Sequence, residues 1–190
     1  MSKLKLSKKQ LQSYLEKWNK KNGPKEKLWV GWLKDLFEKK YPNNKDINQV
    51  LIKCAALDKL YSTNVKYLFD VAKKIVSIQN FDEKIKKGDQ KIVKKMMKVN
   101  NINYYSFATK YCYYSDSKKR YPIYDSYIDK VLKHLRDNNE IDYFENNQLK
   151  IYSNFVEILE KIKKKLNCSF EELDHYLWQL GKENFPKKTK

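Results

Sequence analysis

The stretch YYSFATKYCYYSDSKKRYPIYDSYIDKVL, residues 104–132, carries the strongest signals for the fold. Seven tyrosines lie between positions 104 and 124, around one isolated lysine, Lys110. The segment SFATKYCYY predicts a helix, and the polar letters SDSKKRYP that follow predict a loop. Asp125 then precedes an apolar pattern of helical period, so it predicts the N-cap of a second helix.

The rest of the chain repeats this alternation of periodic segments and short turns. Glycine and proline number only four each, which argues for helices joined by short connections. We predict an all-α fold of eight to ten helices, with residues 1–45 as N-terminal helices packed on a core of residues 46–182. Residues 183–190 are predicted to form a basic tail. One segment, DYFENNQLKIY, allows either a loop or a weak hairpin.

Local signals place several helix ends and buried faces. Ser7 is a candidate N-cap, and Ser169 with Glu172 forms a capping box for the last helix, which Gly181 is expected to end. An apolar stripe predicts the buried face of another helix and consists of Val65, Leu68, Phe69, Ala72, Ile75 and Val76. Packing within the fold, rather than base stacking, is predicted for three tryptophans at helical spacing, Trp18, Trp29 and Trp32.

The charge balance bounds the possible partners. The chain contains 41 Lys and Arg against 23 Asp and Glu, a formal net charge of +18. A field of that sign attracts polyanions, so nucleic acid or an acidic membrane surface is the expected partner. A lysine-rich proteome could give the same excess by drift, but drift usually raises the acidic residues as well, and here they lag behind.

Signals for membranes and metals are missing from the sequence. The N-terminus MSKLKLSKKQLQ has no apolar run of signal-peptide length, and no later segment is apolar enough to span a bilayer. Cys54, Cys112 and Cys168 are far apart, and neither His134 nor His175 completes a metal-binding spacing with them. We expect a cytoplasmic protein with reduced thiols and with no metal or organic cofactor.

Taken one at a time, the two residues of the opening stretch have ordinary explanations. An aspartate in front of an apolar helix is most often an N-cap, which contributes about 0.5–2 kcal/mol of stability. A lysine on a helix is most often solvated. Lys110 and Asp125 acquire a second interpretation only when they are considered together and in this order.

In that order they resemble the helix-hairpin-helix DNA glycosylase superfamily (HhH-GPD-like), most closely the archaeal-type 8-oxoguanine DNA glycosylases and related proteins of that fold. The matching segments are SFATKY with Lys110 and YPIYDSYI with Asp125. The segment EELDHYLWQLGK resembles the last helix of the archaeal-type enzymes. The segment LYSTNVKYLFDVAKKI resembles the one that fills the gap left by a flipped base. The resemblance covers residues 46–182.

The resemblance implies a compact helical fold with a central cleft and a monomeric, nucleoid-associated DNA glycosylase, with or without AP-lyase activity. Its partner would be double-stranded DNA that contains a damaged or modified base. Lys110 would be the nucleophile and Asp125 the activating carboxylate, while the base pocket would include Asp174 and Trp178. The residues that would fill the gap in the duplex are Tyr61, Ser62 and Asn64. A solvated loop or a contact along the phosphate backbone is predicted for the run Lys118, Lys119 and Arg120.

The chemistry of base removal explains why such a pair would be needed. A base inside a duplex cannot be reached, so the enzyme flips it out. Its bond to the sugar then breaks with positive charge on the sugar, which a carboxylate such as Asp125 can stabilise. Desolvation would lower the pKa of the lysine amine and let it form a Schiff base, which permits strand cleavage by β-elimination. The neighbours expected to desolvate Lys110 are Tyr105, Phe107 and Tyr111.

The hairpin departs from the superfamily pattern. Superfamily hairpins carry glycines whose backbone N–H groups hold a phosphate, but this chain has no glycine between Gly88 and Gly181. The corresponding letters are NNINYYSF, where Asn100, Asn101 or Asn103 could take the left-handed conformation instead of glycine. The interval of fifteen residues from the lysine to the aspartate is also shorter than is usual in the family.

Two other classes of protein remain open. A non-catalytic, basic DNA-binding module of the same fold would use Lys110 only for a phosphate contact. A small helical interaction protein would instead direct its basic face towards an acidic protein. Salt-dependent DNA binding excludes the interaction protein, and covalent trapping separates the enzyme from the module.

Overall fold

The computed structural model of the chain describes residues 4–20 and 24–186. Ten α-helices, a π-helical segment, a 3₁₀-helical segment and one two-stranded hairpin make up the regular structure of these residues, so the all-α prediction is confirmed. The helices are α1 (Lys8–Asn19), α2 (Glu26–Asp35), α3 (Ile47–Tyr61), α4 (Leu68–Ser77), α5 (Phe81–Lys87), α6 (Lys91–Met97), α7 (Tyr105–Ser115), α8 (Ser126–Asp137), α9 (Tyr152–Leu166) and α10 (Phe170–Asn184). The strands are β1 (Lys98–Val99) and β2 (Ile102–Asn103), the π-helical segment is Leu36–Lys40 and the 3₁₀ segment is Asn146–Lys150.

The chain folds into two units whose boundaries differ from the predicted ones. The middle unit is residues 25–123, and the terminal unit takes the described residues of 1–24 and 124–190. The predicted boundary at residue 45 therefore lies inside the middle unit. The difference arises because α1 packs against α10, near the other end of the chain, which no local sequence signal could show. Within the predicted tail, residues 187–190 lie outside the described residues.

Helix α7 is the centre of the middle unit. Every side chain from Phe107 to Tyr114 is buried, and the helix contacts α3, α6 and the π-helical segment. Tyr111 and Tyr114 pack against Phe37 of the π-helical segment, with ring centroids 5.1 and 5.6 Å away. The tyrosine-rich stretch is thus the core of this unit.

Helix α10 organises the terminal unit, where it contacts α1, α8 and α9. The buried residues of α1 are Leu11, Tyr14, Leu15 and Trp18. The two predicted caps are confirmed: Ser7 Oγ accepts a hydrogen bond from the Gln10 N–H at 3.2 Å, and Ser169 forms the capping box with Glu172. Within DYFENNQLKIY, for which the sequence allowed a loop or a weak hairpin, Asn146–Lys150 form the 3₁₀ segment.

The prediction that Gly181 ends the last helix is wrong, since α10 continues to Asn184. A β-carbon on Gly181 would stand 2.7 Å from Tyr127 Cβ and 3.1 Å from the Tyr127 carbonyl oxygen. Glycine is needed at this position because α8 and α10 approach each other closely, and not because the chain leaves the helix.

Gly181→Ala is therefore expected to destabilise the protein by about 1–3 kcal/mol, since the crowded atoms include backbone. Gly31→Ala is the matched control, because Gly31 lies in α2 with no atom within 4 Å of the added carbon. There alanine should stabilise the helix by up to about 1 kcal/mol. Urea unfolding of both variants measures the difference, and a Gly181→Ala protein as stable as the wild type would contradict the close approach.

Two exposed aromatic side chains correct the predicted core. Trp32, expected to pack inside the fold, is 61% exposed on α2. Phe69, expected on the buried stripe, is 49% exposed. The predicted stripe assumes that Val65 belongs to the helix. Val65 is buried, but it lies in the loop before α4, so the buried face of α4 is rotated relative to the predicted one. The buried face of α4 consists of Val71, Ala72 and Ile75.

Candidate active site and DNA-binding surface

Lys110 lies in the middle of α7 and is only 2% exposed. Its Nζ donates a hydrogen bond to Ser106 Oγ, one helical turn earlier, at 2.7 Å. The same nitrogen lies 5.3 Å from the ring centroid of Tyr61, within cation–π distance. The lysine of the opening stretch is therefore enclosed by the fold and is not a solvated surface residue.

Tyr61 joins the predicted nucleophile to the predicted DNA-contacting segment. Its hydroxyl lies 2.7 Å from the hydroxyl of Tyr114, which follows Lys110 by one turn of α7. This hydrogen bond holds the Tyr61 ring beside the ammonium group. Lys110 and Tyr61 were predicted to act in one site, and they are neighbours within the middle unit.

Tyr111, a predicted neighbour of Lys110, packs elsewhere in the core. Tyr111 is adjacent in sequence, but successive helical residues diverge by about 100°. Its hydroxyl donates to Asn44 Oδ1 at 2.6 Å. Burial raises the pKa of the Tyr105 and Tyr111 hydroxyls well above the ordinary value, so both stay protonated near neutral pH.

The loop after α3 presents two of the predicted DNA-contacting residues to solvent. Ser62 and Asn64 are exposed, and both adopt the left-handed conformation, with φ of 50° and 55°. The Asp58 carboxylate accepts hydrogen bonds from Thr63 Oγ1 at 2.6 Å and from the Val65 N–H at 2.9 Å. The loop thus has a fixed conformation, with its polar tips directed outward and Tyr61 at its base.

In a short hairpin between α6 and α7, Asn100 and Asn101 take the predicted left-handed conformation, whereas Asn103 lies in β2. Val99 pairs with Ile102, and the two residues between them, Asn100 and Asn101, have φ of 48° and 61°. Positive φ at both positions defines a type I′ turn, which asparagine tolerates better than most residues. Asn100 Nδ2 donates to Asp70 Oδ2 at 2.6 Å, so the turn lies beside the first turn of α4.

Sequence reasoning missed two pairs of an aromatic and a basic side chain on this side of the middle unit. Lys73 Nζ lies 4.6 Å from the ring centroid of the exposed Phe69, and Lys66 Nζ lies 5.3 Å from that of Tyr67. A phenylalanine four residues before a lysine was the available signal, because such residues are neighbours on a helix surface. We call Ser62, Asn64, Lys66, Tyr67, Phe69, Lys73 and Asn100 the α4 surface.

The basic run after α7 is mostly engaged inside the middle unit. Lys119 is 8% exposed, and its Nζ lies 2.9 Å from Glu38 Oε1 and donates to the Tyr113 carbonyl at 3.3 Å. The same nitrogen faces the rings of Tyr113 and Tyr114 at 4.9 and 5.6 Å. The interpretation as a solvated loop is therefore wrong for Lys119, whereas the Lys118 side chain is exposed.

Arg120 also holds the loop in place. Its guanidinium donates to Asp116 at 2.8 and 3.0 Å and to the carbonyls of Ile85 and Lys86 at the end of α5. Burial alone would raise the pKa of the Asp116 carboxyl, but the hydrogen bonds and charge of Arg120 hold it below the ordinary value. The predicted contact of this run with DNA therefore depends mainly on Lys118.

Asp125 caps α8, as the sequence predicts. Its Oδ1 accepts hydrogen bonds from the backbone N–H groups of Tyr127 and Ile128, both at 2.9 Å. Its Oδ2 has no hydrogen-bond partner in the part of the chain that the structure describes. One oxygen of the half-buried carboxylate thus stabilises the helix, and the other remains available for a ligand.

The two predicted base-pocket residues lie on α10 and are half-buried. The Trp178 ring meets Trp18 and Tyr127 edge-on, with centroids 6.1 and 6.4 Å away. Tyr127 thereby connects this tryptophan to Asp125, since its backbone N–H donates to that carboxylate. Asp125, Asp174 and Trp178 belong to the terminal unit, whereas Lys110 belongs to the middle unit. The pairing of Lys110 with Asp125 therefore stays a prediction.

A second buried lysine, Lys53 in α3, was not singled out by the sequence. It is 0% exposed, and its Nζ donates to the carbonyls of Tyr41 and Asn43 and to Asn44 Oδ1, at 3.0, 2.9 and 2.6 Å. The signal was a lysine at helical spacing on an apolar face. Because all three ammonium hydrogens have acceptors, Lys53 ties α3 to the turn after the π-helical segment and is not a nucleophile.

Burial lowers the pKa of Lys53 to about 8 from its ordinary value of 10.5, although the Asp82 charge acts in the opposite direction. Between these values Lys53 carries a proton in the unfolded chain that it lacks in the folded protein, so Lys53 alone adds about 3 kcal/mol to the free energy of unfolding as pH rises. The raised pKa of the buried thiols and tyrosines acts in the opposite direction, so the Lys53 contribution is the difference in pH dependence between the wild type and a Lys53 variant. Urea unfolding at about pH 7.5 and about pH 10.5 measures this difference. Lys53→Met should lose the contribution, while Lys59→Met, at an exposed position of the same helix, should keep it. Equal pH dependence in the wild type and Lys53→Met would contradict the assignment.

The cysteines show no reactive character. Cys54 and Cys112 are buried, Cys168 is partly exposed, and none of them forms a disulfide. Burial raises the pKa of all three thiols, that of Cys168 to about 11. Within residues 4–20 and 24–186, no cluster of three His, Cys, Asp or Glu side chains is placed to hold a metal ion. The helices of the same residues are all too short or too polar to cross a membrane.

The fold and these contacts define a strongly basic, all-helical protein with a buried lysine beside an exposed loop. Residues 10–119 match the family model HI_0787_N, described as an N-terminal domain. Because this match covers more than half of the chain, the protein belongs to that family. The matched residues include Lys110 and end before Asp125.

One relative also matches this chain over most of its length. A protein of Haemophilus influenzae (strain Rd), named "Uncharacterized protein", is 39% identical over 132 residues, which are 67% of this chain. The match spans 64% of the relative's own length. No solved structure matches the chain. Neither the family description nor the name of the relative specifies a substrate or a reaction.

Proposed function

We propose that this protein is a DNA glycosylase that flips out and excises a damaged or modified base, with Lys110 as the nucleophile. The observation that carries the proposal is the position of Lys110. Its ammonium is buried in an aromatic helix, held by Ser106 and Tyr61, and lies at the base of a loop with exposed polar tips. A buried amine beside a surface loop suits attack on a sugar that is drawn out of the duplex.

In the proposed reaction the neutral Lys110 amine attacks C1′ of the sugar and loses a proton. The C1′–N bond breaks, and the base leaves with the electron pair and takes up a proton. Ring opening gives a Schiff base, from which β-elimination expels the 3′-phosphate and cleaves the strand. Ser106 Oγ, which accepts a hydrogen bond from Lys110 Nζ, keeps the amine in position during the attack.

Asp125 would stabilise the positive charge that develops on the sugar. Two N–H donors fix its Oδ1, and Oδ2 remains for the reacting sugar. Trp178 and Asp174, on α10 of the same unit, would hold the flipped base, with Trp178 providing an aromatic face. This assignment requires the two units to act on the same nucleotide.

The α4 surface would contact the DNA around the flipped nucleotide. Phe69 and Tyr67 offer aromatic faces for bases, and Lys66 and Lys73 offer positive charge beside them. The polar tips Ser62 and Asn64 lie on the same loop as Tyr61. A basic protein with such a surface would associate with the nucleoid as a monomer.

The proposal is tested by incubating the protein with duplexes that carry a panel of oxidised, alkylated and bulky modified bases, in the presence of borohydride. Trapping of a covalent protein–DNA adduct on one of these duplexes, together with release of the free base, supports the proposal. Release of no base from any duplex contradicts it. Unmodified duplexes of the same sequence serve as the control.

A non-catalytic DNA-binding module is the second candidate, and two observations favour it. The Lys110 ammonium already has a hydrogen-bond partner and an aromatic ring beside it, and Asp125 already serves as a helix cap. Such a module would bind duplex DNA without forming an adduct. The trapping experiment therefore separates the two candidates.

Both candidates predict DNA binding that weakens steeply as salt is added. The net charge of +18 implies that several phosphates are neutralised in the complex. The logarithm of the binding constant should fall with the logarithm of salt concentration by about 0.9 per phosphate contact. Fluorescence anisotropy between about 50 and 200 mM salt measures this slope. Affinity that does not change over this range would exclude both candidates and leave the acidic-protein partner.

A further inference from the structure

A cavity of about 430 Å³ opens in the middle unit at the C-terminal end of α7. Its volume lies within the range of small-molecule sites, about 300–1,000 Å³. The lining combines two apolar side chains, Phe37 and Pro42, with the serines Ser115 and Ser117. Apart from Lys118 and Arg120 of the basic run, none of the residues proposed for base excision or DNA contact lines it.

The lining carries a surplus of positive charge. Its acidic groups, Glu38 and Asp116, are each paired with a basic side chain at 2.9 and 2.8 Å. Lys86 and Lys118 are exposed, and their ammonium groups form no ion pair or hydrogen bond within the described residues. Two positive charges at the cavity are therefore available for an anionic ligand.

A hydroxyl group in the same lining lacks a partner. Ser115 Oγ is buried and forms no hydrogen bond to any group that the structure describes. A buried hydroxyl is nearly always hydrogen-bonded, so a ligand that reaches Ser115 through a small shift of this wall would give its Oγ the missing partner. Ser115 belongs to the same lining as the two unpaired ammonium groups.

We propose that this cavity binds a phosphomonoester. Lys86, Lys118 and the Ser115 hydroxyl bind the phosphate oxygens, and Phe37 with Pro42 contacts the organic part of the ligand. A phosphomonoester carries a charge of about −1.5 to −2 near pH 7, which two ammonium groups match better than the single charge of a phosphodiester. The ligand is either a free nucleotide or the 5′-phosphate end of a DNA strand, which share this chemistry.

Calorimetric titration with deoxyguanosine 5′-monophosphate tests the proposal, with deoxyguanosine as the control ligand. The nucleotide should bind at least about tenfold more tightly than the nucleoside. Lys86→Glu with Lys118→Glu should weaken nucleotide binding by about a hundredfold or more, as expected for two charge-assisted contacts. Absence of nucleotide binding to the wild type would overturn the proposal.

A matched double variant controls for overall charge. Lys59→Glu with Lys94→Glu makes the same change in net charge at two exposed lysines that do not line the cavity. It should leave nucleotide affinity within about threefold of the wild type. Equal losses in the two double variants would mean that the nucleotide responds only to the overall field, and the proposal would fail.

Paired oligonucleotides with a 5′-phosphate or a 5′-hydroxyl distinguish the two sources of the ligand. A preference for the phosphorylated strand that disappears in Lys86→Glu with Lys118→Glu assigns the cavity to DNA ends. Nucleotide binding without such a preference assigns it to a free nucleotide. Ser115→Ala should lower nucleotide affinity several-fold without lowering thermal stability, and unchanged affinity would remove the hydroxyl from the site.

Discussion

Lys110→Ala is expected to abolish both borohydride trapping and strand cleavage. Without the amine no Schiff base can form, and β-elimination has no covalent intermediate from which to proceed. Duplex binding should fall by no more than one phosphate contact, because a buried lysine adds little to the field of a protein with net charge +18. Trapping gels and anisotropy on the duplex that the panel identifies measure the two quantities separately.

Three further variants make this result specific. Lys110→Met fills nearly the same volume and should give the same loss, which separates the chemistry from the cavity that alanine leaves. Ser106→Ala should slow trapping without abolishing it. Lys95→Ala removes an exposed lysine of α6 and should leave trapping unchanged. If Lys110→Ala still releases the base but leaves the strand intact, water is the nucleophile; if it retains both activities, Lys110 belongs only to the core.

Asp125→Asn is expected to lower the rate of base release by about 10²–10³, because a neutral amide cannot balance the charge that develops on the sugar. The protein should remain folded, since asparagine caps a helix about as well as aspartate. Single-turnover rates and urea unfolding, measured on the same preparation, record both effects. A wild-type rate in Asp125→Asn would reduce this residue to its role as a helix cap.

Asp46→Asn is the matched control for that experiment. Asp46 caps α3 in the same way, with its Oδ1 accepting a hydrogen bond from the Gln49 N–H at 2.9 Å. It is exposed and belongs to the middle unit. The same substitution should leave the rate of base release unchanged, so a rate that falls equally in both variants would indicate a general effect on the fold.

The sequence predicted the features that depend on near neighbours. Asp125 caps α8, and Ser169 caps α10 together with Glu172, because these hydrogen bonds join residues two or three positions apart. The asparagine turn at Asn100 and Asn101 was also predictable, because the tendency to adopt the left-handed conformation depends on the residue type.

The features that the sequence could not predict depend on partners far along the chain. Lys119 looked solvated because Glu38, with which it pairs, lies 81 positions away. Gly181 looked like a helix end because the close approach of Tyr127 cannot be seen locally. Likewise, the enclosure of Lys110 was predictable from its aromatic segment, but the identity of its neighbour Tyr61 was not.

The packing of α1 on α10 has a consequence for how the protein is made. The buried face of α1 leaves the ribosome before α10, which covers it and begins only at Phe170. At a translation rate of about 5–20 residues per second, the nascent chain exposes this face for about 8–30 s. The middle unit, contiguous in sequence, can complete its own core during that time. Newly synthesised protein should therefore bind chaperones through α1, and release should follow the synthesis of α10.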